Sequence, residues 1–169
     1  MKKYVFLAFF ALIAFVVKAQ DESGDLVKEG QQMPAFTIMN DNGTQVHSSS
    51  LKGKVILVNF FATWCPPCQK ELAEVQKILW PKYKDNKDFV LLVIGREHTD
   101  VELQKYNEKK GFTFPLYPDK NRAIYGAFAK NLIPRSYLVD KTGKVVYATK
   151  GYSDEEFAEL MKRIEAALK

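Results

Sequence analysis

The sequence predicts a one-domain α/β fold, with a central mixed β-sheet, helices on both of its faces and an extra N-terminal β-hairpin. Three observations predict it. Val55–Phe61, broken only by Asn59, and Phe89–Gly95 are continuous apolar runs that read as strands buried on both sides. Each is followed by helix-start signals, and strand–helix–strand units imply parallel neighbours. A late hairpin, Ser136–Asp140 and Val145–Thr149 around Lys141-Thr142-Gly143, adds antiparallel ones.

The elements follow in chain order. Lys2 and Lys3 precede the uncharged run Tyr4–Val17 and then Lys18-Ala19-Gln20, the layout of a secretory signal cut after Ala19. At ~1.5 Å per residue that run reaches ~21 Å, short of the ~30 Å hydrocarbon core. Residues 1–19 are therefore expected to be a removed signal peptide, with an uncleaved N-terminal anchor as the alternative. Residues 20–33 are polar, contain Gly24 and Gly30, and read as a mobile leader; residues 34–169 form the domain. Ala35–Met39 and Gln45–Ser48 make a hairpin about Asn42-Gly43. A helix starts at Cys65 or Pro66 and runs to about Leu79, where Pro81 limits it. Thr99 and Glu102 form a capping box and Gly111 a stop, which bounds a helix at Asp100–Lys110. Arg122–Lys130 is a weaker helix. Ser153 and Glu156 cap a last helix, with Phe157, Leu160, Met161, Ile164 and Leu168 at helical spacing. The expected order is β-β-β-α-β-α-α-β-β-α.

Composition excludes several functions. With 47% hydrophobic and 27% charged residues the chain is neither disordered nor a multi-span membrane protein. The net charge of +5 falls to +2 without the three lysines of residues 1–19, and no basic stripe remains, so no nucleic-acid partner is expected. Two cysteines are too few for a disulfide scaffold or a four-cysteine zinc site. There is no dinucleotide, phosphate-loop or nucleophile-elbow motif.

The informative stretch is Trp64-Cys65-Pro66-Pro67-Cys68, placed where a buried strand turns into a helix. Unsatisfied N–H groups and partial positive charge at a helix N-terminus favour a thiolate on Cys65. Prolines suit the first helical turn, and Cys68, one turn in, should be deeper. Cys65 is then the attacking thiol and Cys68 the resolving one. At about 100° per residue, Cys68, Leu72, Val75, Ile78 and Leu79 form one apolar stripe, and Glu71 falls inside it. A carboxyl group there is expected to be buried and to exchange protons with Cys68. Arg96-Glu97-His98 follows the second buried strand, at the sheet edge where active sites collect, so His98 is expected to border the cysteines and to contact clients there.

These residues resemble the thioredoxin-like fold and, within it, the secreted thiol-disulfide oxidoreductases of the TlpA/ResA type. The resemblance spans about residues 33–169 and rests on Val58-Asn59-Phe60-Phe61-Ala62-Thr63-Trp64-Cys65-Pro66-Pro67-Cys68, on Glu71, and on Ile133-Pro134 leading into Tyr137-Leu138-Val139-Asp140. It implies a three-layer thioredoxin-like architecture, a cis peptide at Pro134, and client contacts from Trp64, Ile133, Pro134 and Arg135. It also implies that Glu71 takes the place of the buried aspartate that cytoplasmic thioredoxins carry where this chain has Asn59. Arg135 departs from the small hydroxyl residue usual after that proline, and a cation there is expected to favour acidic clients. Val58 and Ala62 stand where peroxiredoxins carry proline and a hydroxyl residue, against peroxidase chemistry.

The expected protein is a periplasmic, monomeric thiol-disulfide oxidoreductase that mainly reduces protein disulfides and needs neither metal nor other cofactor. Its expected partners are disulfide-bearing clients, apocytochrome c among them, and a membrane thiol electron donor. The rivals are an oxidase or isomerase and a metal-binding or scaffold module on the same fold.

Overall fold

The computed structural model describes residues 24–39 and 43–169. The signal peptide expected over residues 1–19 and Asn42 of the first turn lie outside the described residues. Strands β1 (Thr37–Met39) and β2 (Gln45–His47) pair antiparallel, Ile38 opposite Val46. The main sheet joins β3 (Val55–Phe61), β4 (Phe89–Arg96), β5 (Leu116–Asp119), β6 (Arg135–Val139) and β7 (Val145–Lys150) in the order β5-β4-β3-β6-β7. Strands β3, β4 and β5 run parallel, while β6 and β7 are antiparallel additions. All seven residues of β3 are buried, because it is the central strand and both of its faces are covered.

The two-residue period of β3 divides the core. Val55, Leu57 and Phe61 pack under α1 (Pro66–Glu74) and α5 (Asp154–Leu168). Ile56, Val58 and Phe60 pack on the other face with Ile124, Tyr125 and Phe128 of α4 (Ala123–Phe128). The register sets Phe61 opposite Gly95 and Phe60 opposite Arg135, so the end of β3, the end of β4 and the start of β6 share one edge. The Cys65–Cys68 site lies at that edge.

Helix α3 (Asp100–Lys110) has the bounds read from its capping signals. The Thr99 hydroxyl accepts the Glu102 N–H, the Glu102 carboxylate accepts the Thr99 N–H, and Gly111 closes the helix at φ 68°. Such a cap contributes about 1 kcal/mol. Gly95 lets α3 approach, since a Cβ there would stand 2.7 Å from a Leu103 methyl and 3.2 Å from the His98 Cβ.

Three expectations are corrected. The first helix does not stop before Pro81. After α1 it widens into a π-turn at Val75–Leu79, with the Trp80 N–H donating to the Val75 carbonyl, and continues as α2 (Trp80–Tyr83). The wide turn accommodates a proline that lacks a donor, and it rotates Ile78 out of the apolar stripe to 42% exposure. Strand β5 was not expected because Pro118 interrupts it; an edge strand tolerates a missing donor. Finally, residues 24–33, read as part of a mobile leader, are held against the domain. Asp25 bridges Ala129, Gln32 bridges Lys144, and Val27 is buried.

Candidate active site at the Cys65–Cys68 pair

Strand β3 delivers the chain to Ala62 and Thr63, and Cys65 then caps α1. Its backbone is extended (φ −95°, ψ 106°), its sulfur accepts the Cys68 N–H at 3.3 Å, and Pro66 and Pro67 occupy the first helical positions that need no donor. Cys65 and Cys68 are joined in a disulfide with a Cα–Cα separation of 5.3 Å. Cys65 retains 4% exposure and Cys68 none, which matches the expected depth order. Trp64, before the pair, is 61% exposed, and the Arg96 guanidinium lies 5.7 Å from its ring centroid.

Facing the disulfide is the segment before β6. The Ile133–Pro134 peptide is cis, and the Ile133 carbonyl oxygen lies 3.8 Å from Cys65 Sγ. The Tyr125 hydroxyl donates to the Leu132 carbonyl at 2.6 Å, fixing the approach to this turn.

Below the pair is a buried polar triad. Asn59 Nδ2 donates to Glu71 Oε2 at 2.9 Å and to Ser136 Oγ at 2.9 Å, and the Ser136 hydroxyl donates to Glu71 Oε1 at 3.0 Å. Glu71 is 3% exposed, as its helical phase required. Burial pushes its carboxyl up to about 7; the Asn59 and Ser136 bonds resist that rise, and the charge of Glu156 on α5 adds to it. A carboxyl group titrating near neutrality beside a dithiol can both take and return a proton.

Two side chains brace the loop that carries Trp64. His98 Nε2 accepts the Thr63 N–H at 3.0 Å, so that nitrogen carries no proton, and Gln69 Nε2 donates to the Thr63 carbonyl at 2.8 Å. Burial holds the His98 ring below the usual histidine range, opposed by Glu102 and Glu97 and reinforced by Arg96. His98 is 7% exposed, so the structure places it behind the loop as a brace and not on the surface a client would touch.

Arg135 requires a correction. It was expected to meet acidic clients, but it is 1% exposed and points to the α4 face of the sheet. Its guanidinium donates to Asp25 and to the Tyr137 hydroxyl, and Nε donates to the Asn131 carbonyl at 2.9 Å. Burial opposes its charge, yet Asp25 and Tyr137 hold its pKa above the ordinary arginine value.

The site residues missed in the sequence are Thr63, Gln69 and Ser136. Ser136 alone had a usable signal, because period-two alternation sends it to the face opposite Arg135 once Ser136–Asp140 is read as a strand.

The Redoxin family model matches residues 28–165. The chain is 34% identical over 127 residues to the thiol-disulfide oxidoreductase ResA of Bacillus anthracis, an alignment covering 75% of this chain and 72% of that one. Among solved structures, a putative protein disulfide isomerase from Bacteroides thetaiotaomicron superposes with a TM-score of 0.81 at 39% identity, over 86% of this chain and 92% of that one. A putative thiol:disulfide interchange protein DsbE from Chlorobium tepidum gives 0.72 at 25% identity, over 85% and 99%. With the paired cysteines at the head of α1 and a buried glutamate below them, the chain belongs to the Redoxin family as a TlpA/ResA-like thiol-disulfide oxidoreductase of thioredoxin fold.

Proposed function

We propose that this oxidoreductase reduces protein disulfides outside the cytoplasm, with Cys65 as nucleophile, Cys68 as resolving thiol and Glu71 as proton carrier. The Cys65 thiolate attacks one client sulfur, and the other client sulfur leaves as a thiolate that takes up a proton. Glu71 accepts the Cys68 proton; Cys68 attacks Cys65 Sγ, and the client's remaining sulfur is expelled and protonated. The client gains two electrons and two protons, and the protein is left with its Cys65–Cys68 disulfide. A thiol donor, read as membrane-bound, returns the electrons. Ile133 and Pro134 offer backbone to an extended client segment, with Trp64 beside them. Apocytochrome c is one client class that the family resemblance suggests.

One observation carries the reductive direction: Glu71 is buried near the pair, and its hydrogen bonds come from the neutral side chains of Asn59 and Ser136. Its negative charge disfavours a thiolate and so favours passing electrons on. The location rests on the signal read over residues 1–19; among the described residues no helix is long and apolar enough to cross a membrane.

Equilibration with dithiothreitol redox buffers tests the direction. A midpoint below about −220 mV supports a reductase, and one near the ~−120 mV of strong oxidants supports the oxidase reading. Glu71→Gln is expected to move the midpoint upward.

A further inference from the structure

Residues 24–27 lie alongside 128–131, the stretch that leads into the Ile133–Pro134 turn. The Lys130 N–H donates to the Gly24 carbonyl at 2.8 Å, and the Leu26 and Val27 N–H groups both donate to the Phe128 carbonyl at 3.0 and 3.2 Å. Asp25 bridges Ala129 and receives Arg135 on one carboxylate oxygen and Lys150, at 2.7 Å, on the other. Arg135 in turn ties the Asn131 carbonyl across the turn. Gly24 has φ 69°, and a Cβ there would stand 2.1 Å from Asn131 Oδ1, so the contact needs glycine. The segment before the domain therefore grips both ends of the turn that faces Cys65, from the side of the sheet away from α1.

We infer that Gly24–Val27 is a positioning strap, with Asp25 and Arg135 as its clasp, that holds the 131–134 turn in register with Cys65 and so sets affinity for protein clients. The inference rests on the proposal that Ile133 and Pro134 dock client backbone. It concerns docking of client backbone and leaves the sulfur chemistry to Cys65 and Cys68. A buried arginine beside the docking turn is useful here for its geometry: its planar fork can tie Asp25 and Asn131 at once.

The test uses the full chain with Asp25→Asn, Gly24→Ala and Pro134→Ala, each assayed on a disulfide-bonded peptide and on a small aromatic disulfide too short to span the turn. Both strap variants are expected to raise KM for the peptide by about tenfold, the effect of loosening roughly one docking hydrogen bond, with kcat and the small-disulfide rate within about twofold of the parent. Gly24→Ala perturbs the strap without touching the clasp, so agreement of the two variants excludes a purely electrostatic effect. Peptide kinetics unchanged in both strap variants but impaired in Pro134→Ala would overturn the strap and leave docking standing. Unchanged kinetics in Pro134→Ala would remove the docking proposal and the strap with it. Equal losses on both substrates would reduce the strap to a structural support.

Discussion

Two charged side chains are buried beside the Pro134 turn, on opposite faces of the sheet. On one face Ser136 of β6 meets Glu71; on the other, its neighbour Arg135 meets Asp25. Both are almost inaccessible, at 3% and 1% exposure. Glu71 is bonded by two neutral donors, so desolvation prevails and its proton is held to about 7. Arg135 has a carboxylate, and its charge persists despite burial. Burial among neutral donors brings the Glu71 carboxyl into the titrating range, whereas the Arg135 guanidinium stays charged at any accessible pH and its counter-ion offsets the cost of burying that charge. The first arrangement suits a proton carrier and the second a clasp.

The largest expected effect comes from breaking the clasp's charge balance. Arg135→Ala empties a large buried volume and leaves Asp25 without its main cation, and is expected to cost about 3–5 kcal/mol in urea unfolding. Arg135→Met combined with Asp25→Asn removes both charges and refills the volume, and should recover most of that loss. If the double variant is no more stable than Arg135→Ala, the counter-ion is not what distinguishes this face.

Glu71 should behave in the opposite way. In the oxidised protein the folded state keeps a proton that the unfolded chain releases, so stability declines as pH rises from 4.5 to about 7 and then levels off. The shift is worth ~3 kcal/mol. Glu71→Gln should flatten this dependence and be relatively more stable above neutrality. In stopped-flow reduction of a disulfide substrate from pH 5 to 9, it should also slow release of the mixed disulfide. Superimposable pH profiles for parent and variant would remove Glu71 as the proton carrier.

The smallest effect concerns His98. His98→Phe deprives the half-buried Thr63 N–H of its acceptor and should cost ~1 kcal/mol, slowing iodoacetamide labelling of Cys65 a few-fold in the reduced protein. His98→Gln retains an acceptor and should restore the rate. Because His98 titrates below the usual histidine range, the parent should keep this brace through neutral pH and lose it only on acidification. Equal labelling of the two variants would show that the brace does not position Cys65.

Features written in local patterns were legible. The apolar run at Val55–Phe61, the capping box at Thr99 and the cysteine pair opening a helix each depend on residues within one element. Glu71 was legible for the same reason, since the first two turns of α1 keep helical phase. The same stripe failed at Ile78, where the π-turn changed the phase.

By itself, the sequence determined the α/β class, the redox pair, the depth order of its cysteines and the buried carboxyl group, because periodicity and capping act over a few residues. Only the tertiary structure decided what each buried polar group faces. Asp25 and Arg135 are 110 residues apart, and neither shows any local sign of the other. His98 reads as a residue bordering the cysteines, and only the alignment of β4 with β3 sets it behind Thr63 as a brace. How far a buried carboxyl is shifted, and how well a buried guanidinium is compensated, depends on the neighbours in space, and chain folding alone brings those neighbours into place.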